Sequence, residues 1–363
     1  MIKVLKNEKI RLTIENFRGV KEGSLEFGKV NILIGGNNSG KTTILESLFL
    51  LPNPFRPVPY IARGIGRLNA LRVLSLIHST LGSEANIFLF HYYKGGKAAI
   101  TFQKDTKAEV SLQFIAKNNI IDILLKDKRE YYLGYIHKEA PSQKVEDYLL
   151  GVRPSGEPFP LPLRIRTIEY CSSTGEAVFF HPLLLDFICQ YFSVQWVTLR
   201  ASGMTSMVAQ KISEAVGADF NDLLLEPFIG GSQTIYFRDK MGRGVRFGDV
   251  GSGTQVFVAL ALLYEHIKPK MLLIDDIESH MNPSLLTYLA SWLADTVKDT
   301  NLFVTTHSLE AAKILAGVLE DYNPRIKLLE LREGVLKDKD LTLEELERLE
   351  KAGIDVRQRG IFL

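Results

Sequence analysis

The sequence predicts an α/β protein built on a largely parallel sheet, and three observations carry that expectation. An apolar run, Val30 to Ile34, leads through the glycine-rich stretch GGNNSGKT into a helix. The last third alternates apolar strands with helices, which implies a parallel sheet with covering helices. Between the two, residues 86–136 hold short strands parted by KGGK, KDTK and KNN, the pattern of an antiparallel meander.

Taken in order, Ile10 to Ile14 and Ser24 to Phe27 read as strands, followed by Val30 to Ile34. The helix Thr43 to Leu51 is stopped by Pro52 and Pro54. Residues 55–85 read as helical or irregular. The meander strands are Ile87 to Tyr93, Ala98 to Phe102, Val110 to Ile115 and Ile120 to Leu125. Five prolines between 141 and 162 suggest a connector, and Ala177 to Gly217 reads as mostly helical. Then come strand Gln233 to Phe237, helix Thr254 to His266, strand Met271 to Ile274 and helix Pro283 to Val297. That helix has Asn282 as its cap and Trp292 on its apolar stripe, where core packing is the simplest role. Strand Leu302 to Thr305 and helix Leu309 to Gly317 follow, the latter capped by Ser308. Helix Thr342 to Ala352 opens with a capping box of Thr342 and Glu345. The expected organisation is an N-terminal core part over 1–54, an inserted meander and mostly helical lobe over 55–225, and a C-terminal core part over 226–363.

Length and composition fit this plan. The 363 residues allow two domains, or one with an inserted lobe. A hydrophobic content of 46% with 24% charged residues excludes a disordered or collagen-like chain. A net charge of +2 does not announce a nucleic-acid binder. Two cysteines, Cys171 and Cys189, form no CxxC pair and suit a reducing cytosol. The opening residues lack the apolar stretch of a signal peptide, and no run approaches a membrane span, so a cytoplasmic protein is expected.

The chemistry gathers in four motifs. Gly35-Gly-Asn37-Asn38-Ser39-Gly40-Lys41-Thr42 fits G-x-x-x-x-G-K-[ST], followed by Thr43. Glycines let several amides point inward, and the next helix adds its positive end. Lys41 reaches the β- and γ-phosphates, and the Thr42 hydroxyl binds Mg²⁺. Second, MLLI runs into Asp275-Asp276-Ile277-Glu278. A carboxylate ending an apolar strand is costly unless it meets a cation. Third, His307 follows strand Leu302 to Thr305, one β-α unit later, where a γ-phosphate sensor belongs in a parallel sheet. Fourth, Gly251-Ser252-Gly253 opens an apolar helix, a second anion site by the same dipole reasoning.

This ordered set, GGNNSGKT, GSGTQ, LLIDDIESH and TTHS, together with the opening RLTIENFRGVKEGSLEFGKVNILIGGNNSGKTTILESL, resembles an ATP-binding-cassette ATPase of the SMC/RecF/OLD-like branch. The resemblance covers roughly residues 10–51 and 228–320. It implies a P-loop NTPase fold of ABC/SMC-head type and ATP sandwiched between two heads. The loop Gly35, Asn37, Asn38, Ser39, Gly40, Lys41, Thr42 and Thr43 holds phosphates. Thr42 and the Walker B residue Asp275 hold Mg²⁺, and Gly251, Ser252 and Gly253 act as the signature loop on the opposite protomer's γ-phosphate. His307 is the switch histidine, and Arg18 of ENFRG matches an arginine near the nucleotide.

The chain departs from the family at the catalytic base, where Asp276 replaces the usual glutamate. Losing one methylene withdraws the carboxylate by roughly 1.5 Å, and a misplacement of about 1 Å can cost about 10²-fold in rate. Were the chain extended past the strand, Glu278 would face the same side as Asp276 and could serve instead. Neither coiled-coil arms nor, with 56 residues after His307, the nuclease domain fused to some relatives is expected. The expected function is a slowly hydrolysing ATP switch that dimerises around ATP and acts on a partner protein, a nuclease or other effector, or on DNA. The alternative is an ATP sensor without hydrolysis. No N-K-x-D motif supports a GTPase. A membrane partner is not expected.

Overall fold

Strand β1 (Ile10–Phe17), β2 (Val20–Phe27) and β3 (Val30–Ile34) open the chain and run into helix α1 (Lys41–Leu50). They belong to a computed structural model that describes residues 9–51, 53–63, 66–81, 85–105, 109–138 and 177–355. A hairpin of β4 (Pro57–Arg63) and β5 (Gly66–Asn69) and helix α2 (Ala70–Ile77) precede the meander. The meander is β6 (Lys97–Lys104), β7 (Val110–Lys117), β8 (Ile120–Lys126) and β9 (Glu130–His137). After β10 (Ala177–Phe180) come α3 (Leu185–Ala201), α4 (Met204–Val216), β11 (Phe220–Pro227), β12 (Gln233–Asp239) and β13 (Gly244–Arg246). The last part holds α5 (Ser252–Ile267), β14 (Met271–Ile274), α6 (Pro283–Thr296), β15 (Asn301–Thr306) and α7 (Leu309–Val318). Strands β16 (Arg325–Arg332) and β17 (Val335–Leu341) and helix α8 (Leu343–Lys351) close the fold.

Twelve strands make one sheet in the order β10-β14-β15-β3-β16-β17-β2-β1-β6-β7-β8-β9. The half from β10 to β16 is parallel, as the strand–helix alternation predicts. From β2 outward the pairs are antiparallel, so the meander extends the same sheet through the β1–β6 pair. All five residues of β3 are buried, as a parallel strand covered on both faces requires. The one polar side chain in it, Asn31, is satisfied. Its amide accepts from Gly28 N–H at 2.8 Å and donates to the carbonyls of Gly28 and Leu302 at 2.9 and 3.3 Å. Phe27 meets Phe303 edge-on at 5.2 Å between ring centres, a contact adding about 0.5–1.5 kcal/mol beyond burial. Helix α1 packs against β10, β14 and β15, which sets its N-terminus at the C-terminal ends of the parallel strands.

The predicted caps form: Asn282 accepts from Leu285 N–H, Ser308 from Ala311 N–H, and Thr342 and Glu345 make the capping box. Trp292 is core. Three expectations are corrected. Ile87 to Tyr93 is not a strand but two short 3₁₀ turns, with Tyr92 at φ 45°. The outer edge of β1 is already taken by β6, so this segment has no ladder beyond a single Phe17–Phe90 bridge. Residues 55–85 include the β4–β5 hairpin. Ala177–Phe180, expected within a helical stretch, is a fully buried strand parallel to β14. The proline-rich connector and Cys171 lie outside the described residues.

One buried charge stands out. Lys327 of β16 is 2% exposed and reaches Asp338 and Asp340 of β17, the latter at 2.7 Å, while those carboxylates remain 23% and 56% exposed.

Candidate functional site

The loop between β3 and α1 sits where the backbone must turn sharply from strand to helix. A side chain on Gly35, at φ 157°, would bring its Cβ within 2.6 Å of the Leu329 carbonyl, so only glycine fits. Lys41 opens α1 and folds back over the loop. Its ammonium donates to the Gly35 and Gly36 carbonyls at 3.0 Å each and lies 3.4 Å from both Ser39 Oγ and His307 Nδ1. Lys41 is 4% exposed. Burial depresses its pKa to about 8, against the partial support of Asp276, Asp275 and Glu278. Asn37 and Asn38 are exposed at the loop tip, and Thr43 is buried in α1.

Asp275 follows β14 directly and is buried. Its Oδ1 accepts from Thr305 Oγ1 at 2.5 Å and from Thr42 Oγ1 at 3.3 Å. Burial pushes its pKa up, opposed by these two hydroxyls. The Thr42–Asp275 pair is a set of hard oxygens, and among the described residues the carboxylate has no lysine or arginine bound to it, which fits Mg²⁺ held by one or two protein oxygens plus phosphate. Among the described residues no cluster of three or more His, Cys, Asp or Glu side chains forms a separate metal site.

Asp276 does not continue the strand. Its φ of 47° starts a turn closed by Ser279 N–H to Asp276 O at 2.8 Å, so Asp276 and Glu278 do not share a face as an extended chain would place them. The Asp276 amide donates to Thr305 Oγ1 at 2.9 Å, and its Oδ1 lies 3.5 Å from His307 Nε2. Both side chains are 39% exposed. Burial raises the Asp276 pKa, and neighbouring Asp275 adds to the rise. Glu278 is otherwise engaged: its Oε1 accepts the His307 backbone N–H at 2.6 Å, and its other oxygen is buried with no hydrogen-bond partner among the described residues. Asp275, Asp276, Glu278, His307 and the loop thus meet at the C-terminal ends of β14, β15 and β3.

Arg18 pairs with the fully buried Glu46 of α1 and also lines a cavity beside the loop. Burial alone would raise the Glu46 pKa, but Arg18 and His78, the latter at 2.8 Å, together hold it below its ordinary value. Gly251 caps α5 and Ser252 stands exposed in its first turn, making no side-chain cap. Gly253 is buried there, where a Cβ would come within 2.5 Å of the His280 carbonyl. This turn makes no hydrogen bond with the P-loop cluster of its own chain among the described residues.

Two residues escaped sequence reasoning. Glu46 is one; His181 is the other. His181 ends β10, level with Asp275, whose amide donates to Phe180 O at 3.0 Å. Its Nδ1 accepts from Leu183 N–H at 3.1 Å, which leaves Nε2 as the protonated nitrogen, 3.7 Å from Asp275 Oδ2. Burial lowers the His181 pKa. The signal was an apolar run, AVFF, broken by His-Pro. Away from the loop, Arg238, Arg243 and Arg246 pair with Glu226, Asp239 and Asp249.

Fold and site together define an ABC-type P-loop ATPase of the SMC/RecF-like branch. Solved structures share the architecture. The SMC head bound to the C-winged helix domain of ScpA has a TM-score of 0.51 at 15% identity, covering 93% of this chain and 98% of that one. The Smc head with a coiled coil and joint from Pyrococcus yayanosii gives 0.51 at 9% identity, covering 95% and 100%. The chain belongs to the family described as "AAA domain, putative AbiEii toxin, Type IV TA system", whose model matches residues 99–312. A second model, an AAA ATPase domain, matches residues 9–155. An ATP/GTP phosphatase of Helicobacter pylori is 24% identical over 351 residues, 88% of this chain and 91% of that protein. The DNA replication and repair protein RecF of Nitrosococcus oceani is 41% identical over 76 residues, so the match spans about a fifth of its length, 21%. No helix among the described residues is long and apolar enough to cross a membrane.

Proposed function

We propose that the protein binds ATP with Mg²⁺ through Lys41, Thr42 and Asp275, closes as a head-to-head homodimer around it, and hydrolyses it slowly to switch a partner protein. The observation that carries this is the convergence of Lys41, Asp276 and His307. His307 lies 3.4 Å from the ammonium and 3.5 Å from the carboxylate, so one imidazole links the phosphate-binding cation to the candidate base.

In this reading the Lys41 ammonium exchanges the Gly35 and Gly36 carbonyls for phosphate oxygens, and loop amides take the rest. Bound Mg²⁺ would supply charge neutralisation at the phosphates, with Thr42 and Asp275 as its protein oxygens. Asp276, rather than Glu278, accepts the proton of the attacking water, because its side chain is half-exposed at the mouth while Glu278 is committed to the His307 backbone. Burial of Asp276 makes it a better proton acceptor, while its short side chain keeps the rate low. Gly251 and Ser252, exposed on their own chain, complete the twin's pocket with the buried Gly253 behind them. His181 positions Asp275 and joins it to the helical α3–α4 region that follows.

The RecF relative is named for DNA replication and repair, but Arg238, Arg243 and Arg246 of this chain are each paired with a carboxylate, which favours a protein partner, a nuclease or other effector, over DNA. A cytoplasmic setting belongs to the same proposal. The short base also supports a second reading, an ATP sensor with negligible turnover. The deciding experiment is mass in solution with and without ATP, using Asp276→Asn to block turnover. A mass that doubles on ATP supports the switch; a monomer at every concentration refutes it. Phosphate release by the wild type then separates switch from sensor.

A further inference from the structure

β10 closes one end of the twelve-stranded sheet, and among the described residues no strand lies beyond it. Its inner edge pairs in parallel with β14, where Phe180 O accepts from Asp275 N–H at 3.0 Å. Successive residues of a strand turn their peptide groups to opposite edges, so Phe179 turns its own away from β14. Phe179 is fully buried, and a buried N–H or C=O without a partner is costly. One group meets both. The Tyr60 hydroxyl accepts from Phe179 N–H at 2.8 Å and donates to Phe179 O at 3.2 Å. A phenol thus does for this residue what a further strand would do. Tyr60 is 1% exposed, and burial pushes its pKa up, so the proton it donates stays in place.

Tyr60 belongs to β4, in the stretch Pro57-Val58-Pro59-Tyr60. Proline offers no amide to a ladder, and the β4–β5 register breaks between Pro57 and Ala62. That break lies where Tyr60 crosses to β10. From Phe179 the contacts run on to the site. Its ring packs on Phe49 of α1 at 5.3 Å and stands edge-on to His181 at 6.1 Å between ring centres. One residue on, Phe180 O holds the Asp275 amide; two residues on, His181 Nε2 lies 3.7 Å from Asp275 Oδ2.

We propose that Tyr60 is a positioning residue for Asp275: its hydroxyl fixes the edge of β10, and with it the two groups, Phe180 O and His181, that aim the carboxylate at Mg²⁺. The inference rests on the reading that Thr42 and Asp275 hold Mg²⁺. It gives the β4–β5 hairpin a part in metal binding through a side chain that is itself no metal ligand. Without the hydroxyl, the Phe179 peptide groups are left buried and unpaired, and β10 must shift to satisfy them. Removing an outer partner of a metal ligand typically costs about 10–100-fold in metal affinity. Tyr60 stands one step further out, so the lower figure applies.

The test measures the Kd of ATP on the full chain, in EDTA and across a Mg²⁺ titration, for wild type, Tyr60→Phe, Asp275→Asn and Tyr264→Phe. The last is the control, because it removes another buried hydroxyl bonded to a backbone carbonyl, Thr296 O at 2.8 Å. Tyr60→Phe should raise the half-saturating Mg²⁺ concentration about tenfold and leave the Kd in EDTA unchanged, whereas Tyr264→Phe should change neither. Hydrogen exchange on nucleotide-free protein with isotope-labelled phenylalanines gives a readout without metal. In wild type the Phe179 amide should be as protected as that of Phe303 in β15, and in Tyr60→Phe it should exchange at least about tenfold faster. A Mg²⁺ dependence in Tyr60→Phe equal to that of Tyr264→Phe overturns the proposal, as does an unprotected Phe179 amide in wild type. An equal loss of ATP affinity with and without Mg²⁺ marks a merely structural role and overturns it too. If Asp275→Asn keeps the wild-type Mg²⁺ dependence, the metal reading itself is wrong; if Asp275→Asn changes it and Tyr60→Phe does not, only the role of Tyr60 falls.

Discussion

Lengthening the residue after the Walker B aspartate should speed hydrolysis. Asp276 sits half-exposed at the mouth of the phosphate loop, 3.5 Å from His307. Asp276→Glu advances the carboxylate by roughly 1.5 Å, toward the gap in which a water would attack. If the wild-type rate is limited by that reach, recovery of up to about 10²-fold is available, equal to about 2.7 kcal/mol of barrier. The left-handed φ of 47° costs Glu no less than Asp, so part of the gain is spent holding the turn. Steady-state phosphate release at saturating ATP reads the effect, with Asp276→Asn as the inactive control. Glu278→Gln keeps an oxygen to accept the His307 amide and should lower turnover little. An Asp276→Glu enzyme no faster than wild type, or a Glu278→Gln enzyme as dead as Asp276→Asn, refutes the assignment.

Three further outcomes follow from features away from the mouth. Lys327 is buried while its partners meet water, so Lys327→Met should cost under about 1.5 kcal/mol, whereas Asp338→Asn with Asp340→Asn strands a buried cation at about 3–5 kcal/mol; urea unfolding with the opposite ranking disproves this. Glu46 has a folded pKa below its ordinary value, so its contribution is present above the ordinary carboxylate range and lost as pH falls through the folded pKa. Glu46→Gln should therefore destabilise by about 1.5–3 kcal/mol at pH 7, with a gap to wild type that narrows in acid; a gap independent of pH counts against the pairing. Cys189, its pKa pushed up to about 12 by burial with Asp186 adding, should react with iodoacetamide at pH 8 at least about 100-fold slower than free cysteine, followed by peptide mass.

The phosphate loop, Asp275 and His307 were legible because each motif is local: a few consecutive residues prescribe a strand, a turn and a helix start. The parallel half of the sheet was legible for the same reason, since alternation of β and α segments leaves few ways to connect them. What escaped was set by distant partners. Nothing near Arg18 in sequence announces Glu46, 28 residues away, or His78, 32 residues from Glu46. The AVFF strand is too short to declare its type, and only β14 alongside it gives His181 a meaning. The Ile87–Tyr93 segment has strand composition, yet a neighbour occupying the edge of β1 decides its conformation. The bend at Asp276 likewise follows from Thr305, contributed by the next strand, and it separates Asp276 from Glu278.

Gly253 and the His280 carbonyl lie too close for any side chain between them, so the first turn of α5 and the loop that carries Asp276 press directly on each other. In a face-to-face pair, the first of these belongs to the neighbour's nucleotide and the second to the chain's own. Each subunit would then hold, in one backbone contact, the wire between two triphosphates, and cleavage on one side would loosen the grip on the other. In such a pair the two turnovers would be coupled through that contact rather than independent.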